Sequence, residues 1–196
     1  MPRAPKHTRD ETVDRALHHF WQHGYLNTSI DEVVEATGVQ RYGLYQNFGS
    51  KHGLFLAALG RYQEVYISHR LRDLEGETSG IDAIESVISN LATFADSPLG
   101  RFGCLMCNTA VELGGRDKAS DAEVDRYASR LRDAFNRAVT TAQGNHQLDP
   151  SKNPDDLADF LAGVVIGACV YARTQAHKGS VRAMLETAFD LLPRTS

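Results

Sequence analysis

No apolar run in this chain is long enough to cross a membrane. The longest, LADFLAGVVIGACVYA over residues 157–172, contains Asp159. It falls short of the roughly 20 residues a bilayer span needs, so it reads as a buried helix and no membrane partner is expected. Met1 to Asp10 is polar, without the apolar segment of a secretory leader. Cysteine is scarce, with three in 196 residues, which excludes a disulfide framework and suits a reducing cytoplasm. Strand-like alternation is missing, and so are a phosphate loop, a nucleophile elbow and a metal-protease signature. Neither enzymatic activity nor a cofactor is expected.

The charge balance is weak. The net charge is −4, and the first sixty residues carry six Lys or Arg against six Asp or Glu. Charge therefore permits nucleic-acid binding without announcing it.

What is present is helical periodicity, repeated about nine times. Thr8 and Glu11 have the spacing of a capping box, Val13, Ala16, Leu17 and Phe20 follow on one face, and Gly24 ends the helix. Ser29 and Glu32 repeat the box before Ile30, Val33 and Val34, and Gly38 closes that helix. A short third helix spans about 40–46, and Ser50 caps a fourth that runs through Leu54, Phe55, Ala58, Leu59 and Tyr62 toward Leu71. The polar stretch EGETSG, residues 75–80, breaks the chain before a fifth helix on Ile81, Ile84, Ile88 and Leu91. A sixth is expected over about 101–113 and a seventh over about 121–143. Asn153 caps an eighth with Pro154 at its first position, and Ser180 caps a ninth that ends at Pro193. The reading is an all-α chain with a three-helix unit over 1–50, a connecting helix over about 51–73, and a larger bundle filling the remainder of 51–196.

Helices two and three, joined at Thr37-Gly38-Val39, have the layout of a helix-turn-helix. Gly38 allows the positive φ that lets the second helix leave steeply. The N-terminal residues of such a helix reach base edges in the major groove, and Gln40 and Arg41 suit adenine and guanine. Tyr42, Tyr45, Gln46 and Asn47 offer donors to phosphates, with Lys51, Thr28 and Ser29 at the adjoining helix starts. Periodicity alone also fits a plain helical hairpin with a solvated face. The stretch TSIDEVVEATGVQRYGLYQNFGSKHGLFLAAL, residues 28–59, resembles the DNA-binding domain of the TetR/AcrR family of bacterial transcriptional regulators. The resemblance is carried by Thr28, Ile30, Val33, Gly38, Val39, Leu44, Tyr45, Phe48, Ser50, Lys51 and Leu54. Departures from family usage are Val34, Gln46-Asn47, Gln40 and Arg41, which puts the operator sequence out of reach. The resemblance implies a homodimer on a palindromic operator, usually a repressor, released by a small-molecule or reactive effector bound in the C-terminal bundle. It implies a dimer interface on the last two helices, which carry Phe160, Leu161, Val164, Gly167, Ala168, Tyr171, Met184, Leu185 and Phe189.

GRFGCLMCNTAVELGG, residues 100–115, is the second unusual segment. Cys104 and Cys107 are three apart and share one face of a helix. They are read in three ways: as small apolar packing residues, as a thiol sensor activated by Arg101 or a helix N-terminus, or as part of a soft-metal site completed by Cys169 or a histidine. Packing is preferred, so no metal is expected. Gly103, Cys104, Leu105, Asn108 and Glu112 also resemble a pattern found in one branch of the same family, which makes Asn108 a third effector-site candidate. The competing function is a cytosolic thiol redox protein using Cys104 and Cys107, although the βαβ setting of a thioredoxin-type motif is missing.

Overall fold

A computed structural model describes residues 8–76, 79–174 and 179–195. Most of the segment Met1 to Asp10 and two residues of the 75–80 break, Glu77 and Thr78, lie outside the described residues. Among those described the chain is all-helical, apart from an isolated antiparallel bridge between Leu148 and Arg194.

The two capping boxes form as the sequence requires. Thr8 and Glu11 close the start of α1 (Arg9–His23), and Ser29 and Glu32 that of α2 (Ile30–Thr37). Each reciprocal pair satisfies two backbone donors that a helix start leaves open. Gly38 adopts φ 71° and turns the chain into α3 (Arg41–Phe48). Ser50 then caps the long connecting helix α4, which runs as α-helix over Lys51–Tyr62, as π-helix over Gln63–Ile67 and as α-helix again over Ser68–Glu75.

The body follows as α5 (Ile81–Ala95), α6 (Leu105–Leu113), α7 (Lys118–Gly144), α8 (Pro154–Tyr171) and α9 (Ser180–Asp190). Two expectations are corrected. The stretch 101–113 is not one helix: a 3-10 turn (Gly100–Phe102) leads through Gly103 to Cys104, which is the N-cap of α6 rather than a residue within it. Ser180 does not cap α9. It is the first helical residue, Gly179 stands at the cap, and no side chain caps that end. Asn153 does cap α8.

One apolar core extends from Val13 in α1 to Leu192 beyond α9. Its most densely aromatic part lies where the three-helix head meets the body. There the buried Trp21 ring has Tyr62 and Tyr66 edge-on at 5.1 Å and Phe94 stacked at 6.2 Å. The Trp21 indole N–H donates to Gly103 O at 3.0 Å, so the buried donor is satisfied.

Candidate nucleic-acid interface and the buried thiol cluster

The short third helix presents polar groups because little of it is needed inside. Leu44 is buried and Phe48 half-buried, which anchors α3, while Gln40, Arg41, Tyr42, Tyr45, Gln46 and Asn47 are exposed. Tyr42 is 76% exposed, a large aromatic surface left to water. Gln40 stands at the N-cap without a side-chain hydrogen bond, and Gln46 Nε2 donates to Tyr42 Oη at 3.0 Å. The Asn47 amide donates to Gly43 O at 2.8 Å. Arg41 pairs with Asp31 of α2. Both partners are exposed, and such a pair contributes little to stability, so a groove can take the guanidinium over.

Three of the nine predicted contacts also hold the fold together. Thr28 is 1% exposed and its hydroxyl donates to Gly24 O at 2.6 Å. Lys51 Nζ donates to Tyr25 O at 2.9 Å and Thr28 O at 2.6 Å, and lies 4.0 Å from the centre of the Tyr25 ring. Burial moves this ammonium below the usual lysine range, and both carbonyl contacts tie α4 to the α1–α2 turn. The Ser29 hydroxyl stays exposed but its oxygen is the α2 cap acceptor.

Glu112, near the end of α6, accepts from the backbone N–H groups of Tyr25 at 3.0 Å and Leu26 at 2.7 Å. The carboxylate thus holds the turn that enters α2. At the other end of α6, Trp21 reaches Gly103 O. Asn108, the predicted effector-site residue, donates to Phe102 O at 2.8 Å, which fixes the 3-10 turn. Gly103, Asn108 and Glu112 therefore form one structural unit that couples head to body, and their i, i+4 spacing from Cys104 onward was the available signal. Glu112→Ala should lower the unfolding free energy by about 2–3 kcal/mol, because two amides lose a charged acceptor. Urea unfolding at fixed protein concentration checks this, and an unchanged midpoint would count against the clamp.

Cys104, Cys107 and Cys169 are all buried, and their sulfur atoms lie within 4.8 Å of one another. Cys169 comes from α8, so the cluster joins α6 to the other long body helix. Burial alone would raise the Cys104 thiol, but hydrogen bonds from Cys107 and Cys169 and the charge of Arg70 outweigh it and bring it well below the ordinary range. Cys107 and Cys169 move up, chiefly because each hydrogen-bonds to Cys104. Arg101, the cation expected beside these thiols, instead lies 4.7 Å from the Phe102 ring centre.

The cation that does reach the cluster is Arg70. Its guanidinium stacks 4.1 Å from the centre of the Phe94 ring and donates to Tyr62 Oη at 3.3 Å. Among the described residues no carboxylate pairs with it. Sequence reading passed over Arg70, although Tyr62, Tyr66 and Arg70 follow one another at i, i+4 and i+8 across the π segment. Arg70, Asn90, Tyr127, Val165 and Cys169 also line a cavity of about 30 Å³ in the body.

Two predicted interface residues, Ala168 and Leu185, are fully buried in this chain's own core and have nothing left to offer a second copy. Leu161 is buried likewise. Outward on α8 stand Phe160, Gly163, Gly167 and Val170, with Val164 and Tyr171 half-buried beside them, and Met184 and Phe189 are half-buried on α9.

The family profile for bacterial regulatory proteins of the tetR family matches residues 13–58, and that for the tetracyclin repressor-like C-terminal domain matches residues 80–188. The HTH-type transcriptional repressor ComR of Escherichia coli (strain K12) is 31% identical over 189 residues, covering 94% of this chain and 89% of that protein. The repressor DhaR of Mycobacterium sp. (strain GP1) is 24% identical over 198 residues, covering 100% and 96%. A cysteine mutant of the regulator CifR, solved in complex with a 26-base-pair double-strand operator, superposes with a TM-score of 0.81 at 26% identity, covering 98% of this chain and all of that one. A regulator from Chloroflexus aurantiacus gives 0.78 at 27%, covering 93% and 90%. These matches displace the thiol redox reading, since they place the Cys104 segment inside a regulator's body. With a DNA-binding head and a regulatory body both matched, the chain belongs to the TetR family of bacterial transcriptional regulators.

Proposed function

We propose that the protein acts in the cytoplasm as a homodimeric repressor that binds a palindromic operator and leaves it when an effector is captured in the body. The observation that carries this reading is the exposed polar face of α3, with Gln40, Arg41 and Tyr42 at its leading end and no internal packing to explain them. An isologous dimer through the outward face of α8, with Phe160, Val164, Gly167 and Tyr171 meeting Met184 and Phe189 near its two-fold axis, would set two reading heads on successive major grooves. At Gly163 and Gly167 a Cβ would meet nothing within 4 Å, which leaves room for a second helix to approach closely. Release follows from the α6 connection: an effector that shifts α6 moves both the Gly103 and the Glu112 attachments of the head, and so biases a two-state equilibrium.

Selection of bound duplex from random or genomic fragments tests the reading. It expects a two-fold symmetric site whose affinity falls steeply with salt. Recovery of no symmetric sequence, with affinity insensitive to salt, would remove it. Arg41→Ala is expected to weaken operator binding by about 5- to 150-fold and relax preference at one base pair. Equal weakening on every sequence would instead make Arg41 a phosphate contact.

A further inference from the structure

We propose that Cys104, Cys107 and Cys169 form a three-sulfur binding site for a soft monovalent cation of the Cu(I) class. The site itself stands apart from the repressor reading, and its role as the effector site rests on that reading. The geometry supplies the donors. Three sulfur atoms from two helices converge within 4.8 Å of one another, all buried. A trigonal cation with metal–sulfur bonds of about 2.3 Å needs sulfurs about 4.0 Å apart. Sulfur shifts of about 0.5 Å or less close that difference, within the reach of small side-chain adjustments.

The donor set selects the cation. No histidine or carboxylate belongs to the cluster, and the neighbouring cavity is walled by Ile67, Leu71, Val87, Leu91 and Val165. Thiolate donors in an apolar setting favour Cu(I) over harder ions. Zn(II) favours a fourth ligand in a closed site, and the described residues bring only three to this point.

The surroundings supply the charge. Arg70 is half-buried beside the cluster and has no carboxylate partner among the described residues, so a thiolate here would meet its charge. One thiolate balances Arg70. Binding a monovalent cation releases the thiol protons to solvent, because the thiolate is the ligating form, and three thiolates around that cation leave a charge of −2 that Arg70 offsets by one. Arg70 and Asn90 line both the inner cavity and an open groove bordered by Glu64, His69 and Leu99, so these two side chains stand between the cavity and solvent. Both cluster elements bear on the head. Cys104 directly follows Gly103, whose carbonyl holds Trp21, and Cys107 lies on the helix that carries Glu112. Drawing Cys169 and Cys104 together therefore pulls on the α6 attachments.

The test titrates the metal-free full-length protein anaerobically with Cu(I) against a colorimetric Cu(I) chelator, in parallel with Zn(II). Expected are one Cu(I) per chain and an X-ray absorption spectrum with three sulfur neighbours and no nitrogen or oxygen. Cys169→Ser and Cys107→Ala, checked for native helicity, should each weaken Cu(I) binding at least 10-fold. Substoichiometric uptake, a shell containing nitrogen, or full affinity in folded Cys169→Ser would overturn the site, as would Zn(II) binding more tightly than Cu(I) under the same competition. Operator binding is then measured with metal-free and Cu(I)-loaded protein, and loading is expected to weaken it at least 10-fold. Unchanged affinity in loaded protein overturns the effector role alone. Metal-free protein that binds no symmetric duplex overturns the repressor reading and leaves the titration standing. A peroxide-induced disulfide that releases operator from protein taking up no Cu(I) overturns the proposal in favour of thiol oxidation.

Discussion

Trp21→Ala should lower the unfolding free energy by about 3–5 kcal/mol, the range for emptying a buried large aromatic site. The indole is 1% exposed, and it fills the space between Tyr62, Tyr66, Phe94 and Phe102, which come from α4, α5 and the 3-10 turn. None of these elements can collapse independently into the space left behind. The substitution also strands the Gly103 carbonyl, whose partner it removes. Urea unfolding followed by circular dichroism at fixed protein concentration measures the loss, since a dimer's stability depends on concentration. Trp21→Phe separates the contributions: it keeps most of the ring contact and should cost only about 1–2 kcal/mol for the hydrogen bond. Equal losses in the two variants would mean that the carbonyl contact, not the packing, dominates the joint.

Gly103→Ala should cost about 3 kcal/mol or more. Gly103 sits at φ 66° and ψ −147°, a region that is essentially closed to residues with a side chain. A Cβ there would also stand 2.6 Å from the carbonyl oxygen of Cys169. That atom is backbone, so relief requires α6 and α8 to move apart, and overpacking of this kind adds its own penalty to the backbone strain. Gly115→Ala is the control. Gly115 has φ 73° but nothing within 4 Å of its Cβ position, so it carries strain without collision. The difference between the two variants measures the collision together with whatever extra strain the ψ of Gly103 adds, and similar losses would show that neither is large.

Much of this fold was legible because its signals are local. The two capping boxes, the Gly38 turn and the apolar stripes of α1, α4, α5 and α7 each rest on residues a few positions apart. The exposed polar face of α3 was legible for the same reason, since a short helix with so few apolar residues has little core to face. Local pattern fails where a side chain's partner is far along the chain. Thr28 and Lys51 have the residue types of phosphate contacts, yet Lys51 is held by carbonyls 26 and 23 positions away. Glu112 works on amides 87 and 86 positions back. Cys169 completes the cluster that Cys104 and Cys107 begin; residue type named it beside a histidine as a candidate, and periodicity could not choose between them at that range. Ala168 and Leu185 mark a related limit. A helix apolar almost all round does not say which side faces its own chain.

The π-helical stretch in α4 makes this chain tolerant of one specific change of length. Each residue of an α-helix turns the chain by about 100°, and a π segment accommodates one more residue than a regular helix of the same span. Shortening Gln63–Ile67 by a single codon would therefore restore regular winding over the same span and keep Leu71 and Leu74, now buried, close to their present faces. Loss of a residue from the regular turns on either side would instead swing everything after it by about that angle, and Arg70 would turn away from Tyr62 and Phe94. For this helix the damage done by a lost codon depends on which turn loses it.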